Sequence, residues 1–134
     1  MNQVPSGFVP APSRGAFTEV NGPFFWNPSL DPPEFGILGE ARHCNALGIL
    51  HGGLIAGFLD SAMAECIHQR HGGRLATLSL NLTYRRPALA GRWLQAGVTL
   101  GAPEDGAVRA SATLRWRQTV CSEADGSFRL LGRS

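Results

Sequence analysis

The chain has 134 residues, 12 basic side chains that are all arginine, 10 acidic ones and a formal net charge of +2. One domain is the expectation at this length, and 43% hydrophobic with 16% charged residues excludes a disordered chain. The small net charge and the absence of a dense Arg run argue against a nucleic-acid partner.

Residues 1–15 are rich in Pro, Gly and Ser and read as a flexible N-terminal arm. They lack a basic start and an apolar centre, so they do not read as a signal peptide. Residues 16–34 place Phe17, Phe24, Phe25 and Trp26 among prolines and glycines and are expected to pack as an irregular flap. A strand is predicted over 35–42, followed by a loop over 43–51. A proline-free helix is predicted over 52–70, stopping at Gly72-Gly73. Its core stripe is Leu54, Ile55, Phe58, Leu59, Ala62, Met63, Cys66 and Ile67. Asp60 interrupts its apolar run, which is too short to span a bilayer, so no membrane partner is expected.

Period-2 alternation then takes over. Leu78, Leu80, Leu82 and Tyr84 fall on one face, with Thr77, Ser79, Asn81 and Thr83 on the other. The pattern repeats at 94–100 and 108–116, and residues 128–132 suit a last short strand. Pro87–Gly91 and Gly101–Gly106 read as hairpin turns. Residues 16–134 are thus expected to form a single α+β domain, an antiparallel sheet wrapped on one long helix, because each needs an apolar partner. Cys44, Cys66 and Cys121 are odd in number and scattered, which fits a reducing cytoplasm better than a disulfide framework.

The chemistry gathers in Asn45-Ala-Leu-Gly48-Ile-Leu-His51-Gly52-Gly53 and in Asp60. The first N–H groups of a helix have no internal acceptor and sit at its positive end. Glycine there admits a ligand close to the bare backbone, which suits a developing oxyanion. Asn45 and His51 add side-chain donors, and Asp60 can serve as base or nucleophile. Gly52 and Asp60 are eight residues apart, which on one helix is about 12 Å along the axis. Reacting groups must come within about 3–3.5 Å, so one helix cannot bring both to one atom. Two antiparallel copies could, which points to a homodimer with two interfacial sites.

Asn-x-x-Gly-x-x-His-Gly-Gly with an Asp nine residues after the His resembles the hotdog-fold acyl-CoA thioesterases, in the subgroup of the phenylacetate-pathway enzyme. Gly22-Pro23-Phe24-Phe25 and Thr77-Leu-Ser-Leu-Asn-Leu-Thr-Tyr84-Arg-Arg-Pro87 extend the resemblance over residues 22–117. From Gln118 onward the fit is loose. The resemblance implies the hotdog fold, an acyl-CoA substrate, a dimer or tetramer, and Asn45 beside the backbone of Gly52 and Gly53 as oxyanion donors. It also implies that Thr77 steadies the carboxylate of Asp60 or its water. No metal or redox cofactor is expected, because a thioester is already an activated acyl group. Arg85 and Arg86, at a strand end, suit the phosphates of coenzyme A, against a reading as solvated charge. Phe24, Phe25 and Trp26 suit an aryl or medium-chain acyl end.

Other readings are narrower. His43, Cys44 and His51, or His68 and His71, lack the spacing of a four-ligand zinc site. Cys44 has histidine neighbours but no defined base. A hotdog hydratase-dehydratase acting on enoyl or hydroxyacyl thioesters, and a non-catalytic acyl-CoA-binding module, remain as alternatives to hydrolysis.

Overall fold

The computed structural model describes residues 3–132. Met1 and Asn2 of the expected arm, and Arg133 and Ser134 at the other end, lie outside the described residues. The elements in chain order are β1 (Val9–Pro10), α1 (Ala16–Asn21), β2 (Phe25–Asn27), β3 (Glu34–Leu38), a 3₁₀ turn (Ala41–His43), α2 (Gly52–His71), β4 (Arg74–Tyr84), β5 (Trp93–Leu100), β6 (Ala107–Trp116) and β7 (Thr119–Gly132). The strands form one antiparallel seven-stranded sheet in the order β1-β2-β3-β5-β6-β7-β4.

The predicted stripe of α2 is its buried face. Phe58, Leu59, Met63 and Ile67 are fully buried against Ile37 of β3, Leu94 of β5, Val108 and Leu114 of β6 and Phe128 of β7. The helix stops where Gly72 adopts φ 70° and donates its N–H to the His68 carbonyl, a conformation that costs glycine little. On another side, Phe17 of α1 lies over Gly57, where a Cβ would come within 2.5 Å of the ring. The small residues near Asp60 thus admit α1 as well as leaving space.

Several expectations are corrected. The arm is seated from Pro5 onward: β1 pairs with β2, Phe8 stacks edge-on against Trp93, and Arg14 pairs with Glu65. The flap over 16–34 is ordered as α1 and β2, with Arg42 donating to the carbonyls of Val20 and Gly22 at the end of α1. The strand predicted over 35–42 ends at Leu38, and the 3₁₀ turn follows. Gly101–Gly106 does join paired neighbours, but Pro87–Gly91 is no hairpin. It carries the chain from β4, at one edge, across to β5 between β3 and β6. The last strand is 14 residues long rather than the five expected over 128–132.

The alternation in β4 is also broken. Thr77 pairs with Phe128, yet Ser79 pairs with Ser127, so Leu78 is an extra residue, a β-bulge. Residues directly opposite share a face, and Phe128 is fully buried. Thr77 therefore turns toward α2 together with Leu80, Leu82 and Tyr84, instead of away from them, and Leu78 is left half exposed.

Gly36, central in β3, carries a packing constraint. A Cβ there would fall 1.9 Å from the Trp93 indole, while β2 and β5 hold the backbone on both sides. Overpacking of a filled site costs about 1–3 kcal/mol. Gly36→Ala is expected to lie at or above the top of that range, read as a fall in the urea midpoint with an unchanged slope. A midpoint equal to wild type would show that the indole moves freely.

Candidate active site

The loop leading into α2 is built around Asn45 and His43. Asn45 Oδ1 accepts the N–H groups of Leu47 (2.9 Å) and Ile49 (3.3 Å), an Asx-type brace. That fixes the amide, and among the described residues its Nδ2 has no acceptor. The buried His43 ring accepts the Glu40 N–H at Nδ1 (3.1 Å) and donates from Nε2 to the Asn21 carbonyl (2.7 Å). Its own carbonyl accepts the His51 N–H (2.9 Å).

His51 is the N-cap of α2, and its Nδ1 accepts the Gly53 N–H at 2.9 Å. This needs a ring without a proton on Nδ1, so Nε2 carries the hydrogen. Gly53 is thereby occupied, and Gly52 is left as the backbone donor. Among the described residues the N–H groups of Gly52 and Leu54 have no acceptor, and Gly52, without a side chain, is the more accessible of the two. The Gly52 carbonyl is held by the Tyr84 hydroxyl, which donates to it at 2.7 Å. A helix start with a bare Gly52 N–H and an amide donor on the adjoining loop can stabilise an oxyanion.

Asp60 sits two turns further along α2, half buried. Its Oδ1 accepts the Thr77 hydroxyl at 2.8 Å, which the bulge at Leu78 makes possible. Among the described residues no cation pairs with Asp60. A cavity of about 540 Å³ opens beside it, lined by Asp60, Ala64 and Glu65 of α2, Thr77 of β4, and Phe24 and Phe35. Phe24 packs edge-on against Phe58, with ring centroids 5.0 Å apart. Phe25 and Trp26, expected at the acyl end, lie elsewhere, against Trp93 and Phe35.

The sequence model of the thioesterase superfamily matches residues 47–101, which span the helix start, α2, β4 and β5. Over that stretch the chain is similar to the thioesterase superfamily, and its architecture is the hotdog fold. A Pseudomonas aeruginosa protein provisionally named an esterase is 27% identical over 97% of this chain and 99% of its own length. Two solved structures share the fold. The PaaI protein of the Escherichia coli phenylacetic acid degradation operon is 17% identical with a TM-score of 0.70, over 76% of this chain and 74% of that one. A Bacillus halodurans protein crystallised with CoA is 23% identical with a TM-score of 0.66, over 72% and 65%.

Arg85 and Arg86 follow Tyr84 directly, and both of their N–H groups donate to the Cys121 carbonyl (2.8 and 3.1 Å). The Arg85 guanidinium pairs with Glu123, whereas Arg86 has no acidic partner among the described residues. Both line a groove with Tyr84, Gln118 and Thr119. Burial pushes the Cys66 thiol up to about 12 and raises that of Cys121, so neither is a nucleophile at neutral pH. Among the described residues no three metal-binding side chains converge. The ring nitrogens of His43 serve the loop, and His68 Nδ1 bonds the Gly73 carbonyl at 2.7 Å.

Two participants were missed in the sequence. The sequence places Tyr84 on an alternating face and in the strand resembling the family, without a role at the helix start. Glu65 is 7% exposed and is held by Arg14 and Gln69. The signal was present: Glu65 lies three residues after Ala62 and seven after Phe58, inside the core stripe. A carboxylate there requires partners.

Proposed function

We propose that the chain hydrolyses acyl-CoA thioesters to a carboxylic acid and free coenzyme A, as a homodimer with two interfacial sites. The observation that carries this reading is the division of the machinery along α2. The open Gly52 N–H stands at its start, and the Asp60–Thr77 pair lies about 12 Å along the axis. In the proposed assembly the thioester oxygen receives the Gly52 N–H and Asn45 Nδ2. The partner subunit's Asp60 either takes a proton from water as that water attacks the carbonyl carbon, or attacks the carbon itself to give a mixed anhydride that water then cleaves, restoring the carboxylate. The partner subunit's Thr77 fixes that carboxylate. The C–S bond breaks, the thiolate of coenzyme A takes up a proton, and water supplies the oxygen of the new acid. His51 orients the helix start.

The edge strand β4 supports such pairing. It is 11 residues long, lies at the end of the sheet, and exposes half of Leu78 and Tyr84. A long apolar edge is a template for another strand. Two such dimers could associate further into a tetramer. The proposed reaction needs no metal or redox cofactor, because the acyl carbon is already activated. A cytoplasmic site of action fits the free thiols. No described helix is long and apolar enough to cross a membrane. The expected acyl group is aryl or medium-chain, since Phe24 and Phe35 border the cavity.

Thiol release from a panel of benzoyl-, phenylacetyl-, hexanoyl- and decanoyl-CoA tests the reaction. Release with at least one is the expected result. Hydration of an enoyl-CoA without thiol release would assign the chain to the other hotdog chemistry, and tight binding without either reaction to an acyl-CoA-binding role.

The groove beside the helix start is the proposed phosphate clamp, with Arg86 the freer of its two cations. Arg85→Ala/Arg86→Ala is expected to raise KM for acyl-CoA about fivefold and weaken its salt dependence, with kcat nearly constant, the pattern of lost uniform binding. An acyl N-acetylcysteamine, which lacks the nucleotide, should not respond. Equal losses on both substrates would remove the clamp from these arginines.

A further inference from the structure

We infer that Arg14 and Glu65 close the far end of the Asp60 cavity and set the length of acyl chain it admits. The inference rests on the acyl-CoA reading of that cavity. Glu65 and Asp60 both line it from α2. Five residues separate them, which is about 7.5 Å along the axis and about 140° around it. They therefore stand on opposite borders of the lining face, Asp60 at one end and Glu65 at the other.

Glu65 receives Arg14 Nε (2.5 Å) and Nη2 (3.0 Å) in a two-bond fork, and Gln69 Nε2 at 2.7 Å. A buried carboxylate is tolerable only when so partnered. An apolar residue would fill the same stripe position without that requirement, so the carboxylate is there to hold something. What it holds is the N-terminal segment. Upstream, β1 and the Ala11 N–H, which donates to the Phe24 carbonyl at 2.8 Å, fix the chain. From Pro12 to Gly15, the hydrogen bonds among the described residues are those of Arg14 to Glu65 and the Glu19 N–H donated to the Gly15 carbonyl at the start of α1 (3.2 Å), so Arg14 makes the side-chain tie to the core.

That segment is a wall of the cavity. Ala11, Pro12 and Arg14 face into it opposite Leu75 and Leu131. The Arg14–Glu65 pair carries no net charge, and Ala11, Pro12, Ala64, Leu75 and Leu131 give a hydrocarbon chain apolar walls, beside the polar Thr18, Ser61, His68 and Arg74. With the clasp about 7.5 Å further along the axis than the reacting carboxylate, a short chain ends there. A fatty chain could pass only by separating the ion pair and lifting the wall. The Arg14 side chain is half exposed, so the clasp borders solvent rather than more core.

The test compares the wild type with Arg14→Ala/Glu65→Gln, which removes the wall without leaving an unpaired carboxylate, and with Arg14→Lys. Thiol release is measured with hexanoyl-CoA and hexadecanoyl-CoA. Binding of the S-hexyl and S-hexadecyl thioethers of CoA, which cannot be hydrolysed, is measured by calorimetry. The double variant should raise the hexadecanoyl-to-hexanoyl ratio of kcat/KM about tenfold, equivalent to roughly two further methylenes buried. The thioether affinities should shift in the same direction. Arg14→Lys should retain most of the wild-type preference. A merely structural ion pair would change both lengths alike, and an unchanged ratio in folded double variant overturns the inference while leaving hydrolysis intact. If the wild type binds thioethers with the expected length preference but releases no thiol, the proposed reaction fails and the clasp stands. If it binds neither thioether, the clasp falls with it.

Discussion

Replacing Asp60 with Asn is expected to lower thiol release by about 100-fold or more, the range associated with losing a positioned base. The substitution suits the site because Asn keeps a carbonyl oxygen that can still accept the Thr77 hydroxyl, now at 2.8 Å from Asp60 Oδ1. No ion pair is lost among the described residues, so the melting temperature should stay within a few degrees of wild type. Binding of an S-alkyl-CoA thioether should persist. The loss should appear in kcat and in kcat/KM alike, as for an interaction made only in the transition state. Turnover within a few-fold of wild type in a folded Asp60→Asn protein would remove Asp60 from the chemistry.

The sequence exposes this site unevenly, and the reasons are physical. The ends of α2 are legible because they are set by local chemistry: a glycine pair behind a capping His51, and Gly72 in a left-handed conformation. The identity of Asp60 is legible because one carboxylate breaks an apolar run. Its partner Thr77 is not legible from alternation alone. Leu78, Leu80 and Leu82 look like one unbroken face, and an inserted residue leaves no mark in such a pattern. Only the pairing with β7 reveals it, where a Cβ on Gly126 would come within 2.8 Å of the Ser79 carbonyl.

The extent of β7 is hidden for a related reason. Its inward residues Ser122, Ala124 and Gly126 are small or polar, so apolar periodicity is weak until Phe128. Strand order is decided by long-range pairing, so turn composition at Pro87–Gly91 cannot distinguish a crossover from a hairpin. The N-terminal arm is misread because its anchors, Phe8 on Trp93 and Arg14 on Glu65, join residues 85 and 51 positions apart. Composition reports local stiffness and is silent on such contacts.

Mixing two inactive proteins is expected to restore activity, and this outcome bears on the assembly directly. One is Asp60→Asn. The other is Gly52→Pro, which deletes the N–H proposed to hold the oxyanion, a loss of about 10²–10³ in kcat for one donor. The fold should accept it. Gly52 is the first residue of α2, where proline is favoured, and His51 has φ −59° and ψ 134°, the extended conformation preferred before proline. The Gly52 carbonyl keeps its bond from Tyr84. The added Cβ would meet the Tyr84 hydroxyl at 3.2 Å, a contact a small movement of a half-exposed ring relieves. If each site joins the helix start of one subunit to Asp60 of the other, every heterodimer has one site with both elements intact. Random exchange makes half the dimers mixed, so about a quarter of wild-type activity should return. Subunit exchange is followed independently, by energy transfer between labelled copies. Recovery near a quarter ties the two ends of α2 to one shared site. Exchange without recovery would require each chain to complete its own site, which the separation of about 12 Å along a single helix opposes.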